Sequence, residues 1–235
     1  MTTRVADSRV PFRTPAPYRR LLGCVLFGAS YALLARLGFS YSSLAHNVTL
    51  IWAPTGLSLF VLLRWGPGLW PGIVLGDLIA NLNSGTPWLA VLGITAGNVA
   101  QSLLGWHALR RIGFRPTLER TQDAFALLLL GTAATTVSAT AGIAALWGAG
   151  ILAAAALPAA WMHWVMGDAT GVAVLTPWLL AWQRFDARAL VRRRLEAASW
   201  LLLLGLVCAL VFSAGSTAWP WARATTLPRW PCFPS

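Results

Sequence analysis

Apolar runs separated by short polar stretches pattern this chain, and seven of them have the length of helices that enter a bilayer: 21–38, 45–63, 69–83, 88–109, 124–147, 158–182 and 197–214. About 20 residues at 1.5 Å each cross a hydrocarbon core of about 30 Å. The run 69–83 is short on that scale, so it is expected to borrow its flanks or to sit inside the bundle. The fold class is therefore expected to be all-α, a polytopic transmembrane helix bundle of about seven spans.

The span that organises the others contains residues 161–180, WMHWVMGDATGVAVLTPWLL, with Asp168 near its middle. An Asp at the centre of a membrane helix costs roughly 2.5–3.5 kcal/mol on insertion scales, so it is expected to face a partner, a cavity or another helix. At helical spacing Trp161, Trp164, Asp168, Gly171 and Leu175 share one stripe. Gly167 and Gly171 make a GxxxG step, which lets a second helix come close. The acid has two readings here: an interhelical hydrogen-bonding group, or part of a binding or sensing site.

Composition agrees with a membrane protein: 57% of residues are hydrophobic and 11% charged, and the mean hydropathy is +0.63. All 18 basic residues are Arg, giving a net charge of +11. They lie between the apolar runs rather than on one face, which is the positive-inside pattern and not a nucleic-acid surface. With the N-terminus inside, Arg64, Arg110, Arg111, Arg115, Arg120, Arg184, Arg188, Arg192, Arg193 and Arg194 all fall on the cytoplasmic side, and the outer turns 84–87 and 148–157 hold none. That orientation suits a bacterial inner membrane. Many of the 14 Trp lie near span ends, as an interfacial belt requires. Cys24, Cys208 and Cys232 are isolated, with no CxxC, and His46, His107 and His163 are scattered, so no metal site, cofactor or disulfide framework is expected.

Three segments are expected: a cytoplasmic basic stretch (1–20), the membrane domain (21–216) and an unpatterned tail (217–235) with four prolines. The tail reads either as an ordinary disordered end or as the product of a truncated or shifted reading frame near Ala214.

Span two contains WAPTG, Trp52, Ala53, Pro54, Thr55 and Gly56, where Pro54 and Gly56 are expected to interrupt the helix and free backbone groups for a site or a kink. Span three places Trp70, Val74, Asp77 and Asn81 on one face, so Asp77 is a second acid at membrane depth. Each acid follows a Gly, has a Trp seven residues earlier, and precedes a Thr-Pro-Trp-Leu run: a faint inverted repeat, or coincidence. Span four adds Gly97, Asn98 and Gln101, a polar stripe able to pair with either acid.

These motifs resemble the MASE1 family of bacterial membrane sensor domains. The resemblance runs from about Val48 to Leu180 and is carried by WAPTG, by GLWPGIVLGDLIAN, by Gly97-Asn98 leading to Arg110-Arg111, and most specifically by WVMGDATGVAVLTPWLL. It implies eight helices and a role in signal input, with a histidine kinase or diguanylate cyclase as the cytoplasmic output module of complete members. The final span and the output module are absent from the pattern here. The lipid bilayer is one partner, and another membrane protein or a second copy is the other expected one; nucleic acid is not.

The leading functional expectation is a sensory module without catalytic residues, its ligand site formed by Trp52, Pro54, Thr55, Gly56, Asp77, Asn81, Asn98, Trp161, Trp164, Gly167 and Asp168. A small membrane transporter is the alternative, suggested by midplane acids and the hinted repeat. An intramembrane aspartyl protease fits less well. Such enzymes carry GxGD, whereas positions 74 and 165 are Val, and their Tyr-Asp pair is missing.

Overall fold

The computed structural model describes residues 17–40, 51–82 and 84–183, together with a few positions between 196 and 206. The basic N-terminal stretch, most of the seventh span and the tail lie outside the described residues.

Helix α1 (Pro17–Ser40) is followed by α2 (Ala53–Trp65), a 3-10 turn (Pro67–Leu69), α3 (Trp70–Asn81) and α4 (Trp88–Arg111). Next come α5 (Thr121–Ala126), a π-helical turn (Leu127–Gly131), α6 (Thr135–Gly148), a 3-10 turn (Ala154–Ala156) and α7 (Leu157–Trp182). No strand occurs among the described residues. Contacts divide the chain into two units, Met1–Arg184 and Phe185–Ser235, and everything below concerns the first.

Among the described residues, four stretches are long and apolar enough to cross a membrane: Pro17–Phe39, Trp88–Arg111, Thr121–Gly148 and Ala154–Trp182. The pattern alone suggested about seven. Two of the expected spans are shorter helices: at 1.5 Å per residue, α2 reaches about 20 Å and α3 about 18 Å. Helix α2 is short where it is most enclosed, since Pro54, Thr55, Gly56 and every residue from Ser58 to Leu63 are buried. At its start the Trp52 N–H and the Gly56 carbonyl bond to α7 rather than face lipid, which is the condition for beginning a helix at membrane depth.

The WAPTG expectation is corrected here. Trp52 precedes the helix and Pro54 lies in its first turn, so the proline starts α2 instead of interrupting it. Pro suits that position, because its fixed φ is already helical and its missing N–H has no intrahelical partner to lose.

Small residues set the packing. Along α1 and α3, running parallel, a Cβ on Gly72 would meet the Cys24 carbonyl at 2.9 Å and one on Gly76 the Gly28 carbonyl at 2.7 Å. Helices α2 and α7, also parallel, approach most closely. A Cβ on Gly171 would stand 2.1 Å from the Trp52 carbonyl oxygen, and one on Gly56 2.1 Å from that of Gly171. Helices α4 and α6 run antiparallel, with Gly93 against Ala145 and Gly97 against Ala141. Leu59, Leu62, Ile73, Leu109, Leu127 and Val172 fill the centre.

The Arg-rich end is tied down by hydrogen bonds. Arg20 Nε donates to the Gly68 carbonyl at 2.9 Å, and Arg64 Nε to Gln183 Oε1 at 2.6 Å. Arg120 pairs with buried Asp123 at 2.7 Å and also donates to the Gly113 carbonyl at 3.0 Å, closing the α4–α5 loop. Around the outside Trp65, Trp88, Trp147, Trp178 and Trp182 are exposed, as a lipid-interface belt requires.

Candidate functional site between two buried acids

Asp77 and Asp168 are each 1% exposed. Asp77 projects from α3 and gathers two neighbours: Tyr31 Oη of α1 donates to Oδ1 at 3.1 Å, and from α4 Thr95 Oγ1 donates to Oδ2 at 2.6 Å and Asn98 Nδ2 to Oδ1 at 3.2 Å. One carboxylate thus ties three helices together, and all three of its described partners are neutral donors.

Asp168 does the same on the other side of α4. Thr55 Oγ1 of α2 donates to Oδ1 at 2.8 Å, and Ser138 Oγ of α6 to Oδ2 at 2.6 Å. Gln101 of α4 completes a ring, with Nε2 donating to Thr55 Oγ1 at 3.2 Å and Oε1 lying 2.7 Å from Ser138 Oγ. Ser138 has a single proton for two acceptors. Turning the Gln101 amide over only moves the shortage to Thr55, so all four contacts of the ring close only with a further proton on Asp168.

The backbone around Asp168 is equally constrained. Trp52 N–H donates to the Gly167 carbonyl at 2.9 Å, and Thr176 Oγ1 to the Gly56 carbonyl at 2.9 Å. In a helix the carbonyl four residues before Gly171 and the glycine itself share a face, so GxxxG lets the chain at Trp52 lie directly on α7. That contact leaves the start of α2 with its backbone satisfied.

Both acids line one cavity, with about 70 Å³ of space for the centres of water-sized molecules. Its wall includes Phe39 of α1, Trp52, Asn81 of α3, Thr86, Ile94 and Asn98 of α4, Leu146 of α6, and Trp164 and Gly167 of α7. These positions lie toward the end of the bundle that carries the Arg-free turns 84–87 and 148–157. Phe39 and Trp52 stack at a tilt, with ring centroids 5.0 Å apart. The tip of Trp164 fills the space left by Gly142, where a Cβ would stand 2.5 Å from the ring. Asn98 is 3% exposed and its Oδ1 has no hydrogen-bond partner.

The MASE1 sequence profile matches residues 24–227 of the 235. The chain belongs to the MASE1 family. MASE1 is a family of membrane-associated sensor domains, found in signalling proteins with cytoplasmic output domains. The match extends past Ala214, into the stretch that composition alone reads as unpatterned. Comparison with curated proteins found no match, and comparison with solved structures found none.

Within this MASE1 chain, seven of the residues singled out from sequence line one cavity: Trp52, Asp77, Asn81, Asn98, Trp164, Gly167 and Asp168. Thr55 stands behind Asp168 as its donor, and Pro54 and Gly56 belong to the α2–α7 contact. Trp161 is placed elsewhere: its Nε1 donates to Thr140 Oγ1 at 3.1 Å, and it is not part of the cavity wall. Trp161 lies seven residues before Asp168, about 10 Å along the axis of α7, so sharing a stripe does not bring both to one cavity.

Four contributors escaped the sequence reading: Tyr31, Phe39, Thr95 and Ser138. Tyr31 and Phe39 sit in an apolar helix, where an aromatic residue has no distinguishing mark. Thr95 was legible in principle, because it lies three residues before Asn98 on the polar face of α4. Among the described residues no group of His, Cys, Asp or Glu forms a metal cluster, and His163 Nδ1 lies 2.6 Å from the Ala159 carbonyl in its own helix.

Proposed function

We propose that this chain is a signal-input module of the bacterial inner membrane, N-terminus in the cytoplasm, and that the cavity between Asp77 and Asp168 is its input site. The observation that carries this reading is that two membrane-depth acids from different helices share one cavity and that each cross-links several helices. A ligand or a neighbouring protein that exchanges hydrogen bonds with either acid changes the packing of α1, α2, α4 and α6 at once, and packed helices switch between discrete arrangements. In a complete family member such a change would reach the output module through the helices that lead to it. The cavity mouth would then face the periplasm, because the Arg-rich ends of the helices are held inside.

The test is a chimera in which residues 1–184 of this chain replace the matching part of the sensor domain in a MASE1 protein that has an output domain. Asp77→Asn and Asp168→Asn are expected to shift its output at least fivefold with membrane levels unchanged. Output within twofold of the parent in both variants would remove the site assignment.

A further inference from the structure

We propose that this cavity takes a small organic cation, a protonated amine whose charged end sits beside Asp77 and Asp168 and whose body lies against Phe39, Trp52 and Trp164. The proposal rests on the input-site reading above and goes further by naming the chemistry of the ligand.

Acceptors dominate the polar part of the wall. Asp77 and Asp168 contribute carboxyl oxygens, and Asn98 Oδ1, buried and on the same wall, receives no hydrogen bond. The amide cannot turn over to help, because its Nδ2 is engaged with Asp77 Oδ1 at 3.2 Å. Asn98 Oδ1 lacks a donor, and an ammonium group supplies up to three. Among the described residues, the hydrogen-bond partners of the two acids are neutral donors: hydroxyls, amides and the Trp164 indole. With no cation among these partners, a cationic guest offsets the cost of ionising carboxyl groups in a low-dielectric interior. An anion would meet the same two acids as repulsion.

The remaining wall is aromatic and aliphatic. The tilted pair of Phe39 and Trp52, with Trp164 from α7, presents π faces whose negative quadrupole attracts a cation. Ile94 and Leu146 add an apolar part to the wall, against which the body of a small ligand can lie. Aromatic faces alone would accept any apolar ligand; unpartnered acceptors alone would accept any donor. Their combination selects an amine that carries a hydrophobic group.

The experiment is isothermal titration calorimetry on the full chain in phosphatidylcholine nanodiscs, with empty nanodiscs as the blank. The probes are 2-phenylethylamine, its neutral counterpart 2-phenylethanol and the anion 3-phenylpropionate. Saturable binding of the amine alone is expected, weakened at least tenfold by Asp77→Asn. A second variant, Trp52→Leu, leaves both acids in place and is expected to weaken the amine about tenfold through the lost cation–π contact. Binding of the alcohol or the acid as tight as that of the amine overturns the ligand class. So does absence of saturable amine binding to the folded wild-type protein. In either case the chimera separates the two claims, since its response to Asp77→Asn and Asp168→Asn tests the input site without reference to any ligand.

Discussion

Asn98 and Gln101 lie three residues apart on α4 and serve different acids: Asn98 Nδ2 reaches Asp77 Oδ1 at 3.2 Å, while Gln101 joins Thr55 and Ser138, the two donors of Asp168. Less than one helical turn thus connects the two polar clusters. A shift of α4 that improves one set of hydrogen bonds strains the other, which gives the bundle a physical route from cavity to packing.

The ring around Asp168 predicts non-additive losses. Removing the Ser138 hydroxyl with Ser138→Ala deprives a buried acid of a donor and is expected to cost about 1–3 kcal/mol. Combined with Gln101→Leu, the loss should fall short of the sum of the two singles by about 0.5 kcal/mol or more, because the residues share partners. Thermal denaturation of the four proteins in one detergent measures the difference; strict additivity would contradict the ring.

Close approach of α2 and α7 predicts that Gly171→Ala is severe. Its Cβ would stand 2.1 Å from the Trp52 carbonyl oxygen, and backbone must move to admit it. A loss of about 1–3 kcal/mol, the usual cost of overpacking, is the least expected. Gly148→Ala at the end of α6 meets nothing within 4 Å and should be neutral or stabilising by up to about 1 kcal/mol, from helix propensity alone. Melting temperatures that rank the two variants the other way would refute this packing.

At the Arg-rich end, Asp123 is 2% exposed and accepts from Arg120 Nε at 2.8 Å, from Arg120 Nη2 at 2.7 Å and from the Arg115 N–H at 3.2 Å. Asp123→Ala removes every one of these bonds, whereas Arg120→Ala leaves the Arg115 N–H satisfied. The aspartate variant is therefore expected to be the less stable of the two and to raise proteolysis in the loop 112–120. Cleavage of the Asp123→Ala variant no faster than that of the parent would show that Asp123 does not hold that loop.

Trp161 separates two readings of the α7 aromatic face. Because its indole N–H bonds to Thr140 and stays off the cavity wall, Trp161→Phe is expected to leave the chimera's output within twofold of the parent. Gly142→Ala, which would push the Trp164 ring from its seat, is expected to shift that output severalfold. The reverse order would move the site along α7.

The all-helical membrane fold and both acids were legible because apolar periodicity and the expense of a buried carboxylate both appear in one dimension. Asp77, Asn98 and Asp168 stand out as polar residues inside apolar runs. Helix length was less legible. The run 45–63 is mostly apolar, yet its described part becomes helical only at Ala53, where Pro54 favours a helix start and the Trp52 N–H finds its acceptor on Gly167. Composition records hydrophobicity but not which backbone groups are satisfied by a neighbour. Tyr31 and Ser138 were hidden for a related reason: each is unremarkable in its own helix and becomes polar machinery only through a residue 46 or 30 positions away.

Thiol chemistry at Asn81, on the cavity wall beside Asp77, reaches the central claim most directly. In the chimera, with Cys24 and the cysteines of the host protein replaced by Ala, Asn81→Cys would be treated in intact cells with a membrane-impermeant, positively charged methanethiosulfonate while output is recorded. Modification from the outside, accompanied by a change in output of at least threefold, is the predicted result. A thiol that is fully modified with no change in output would contradict the cavity as the input site.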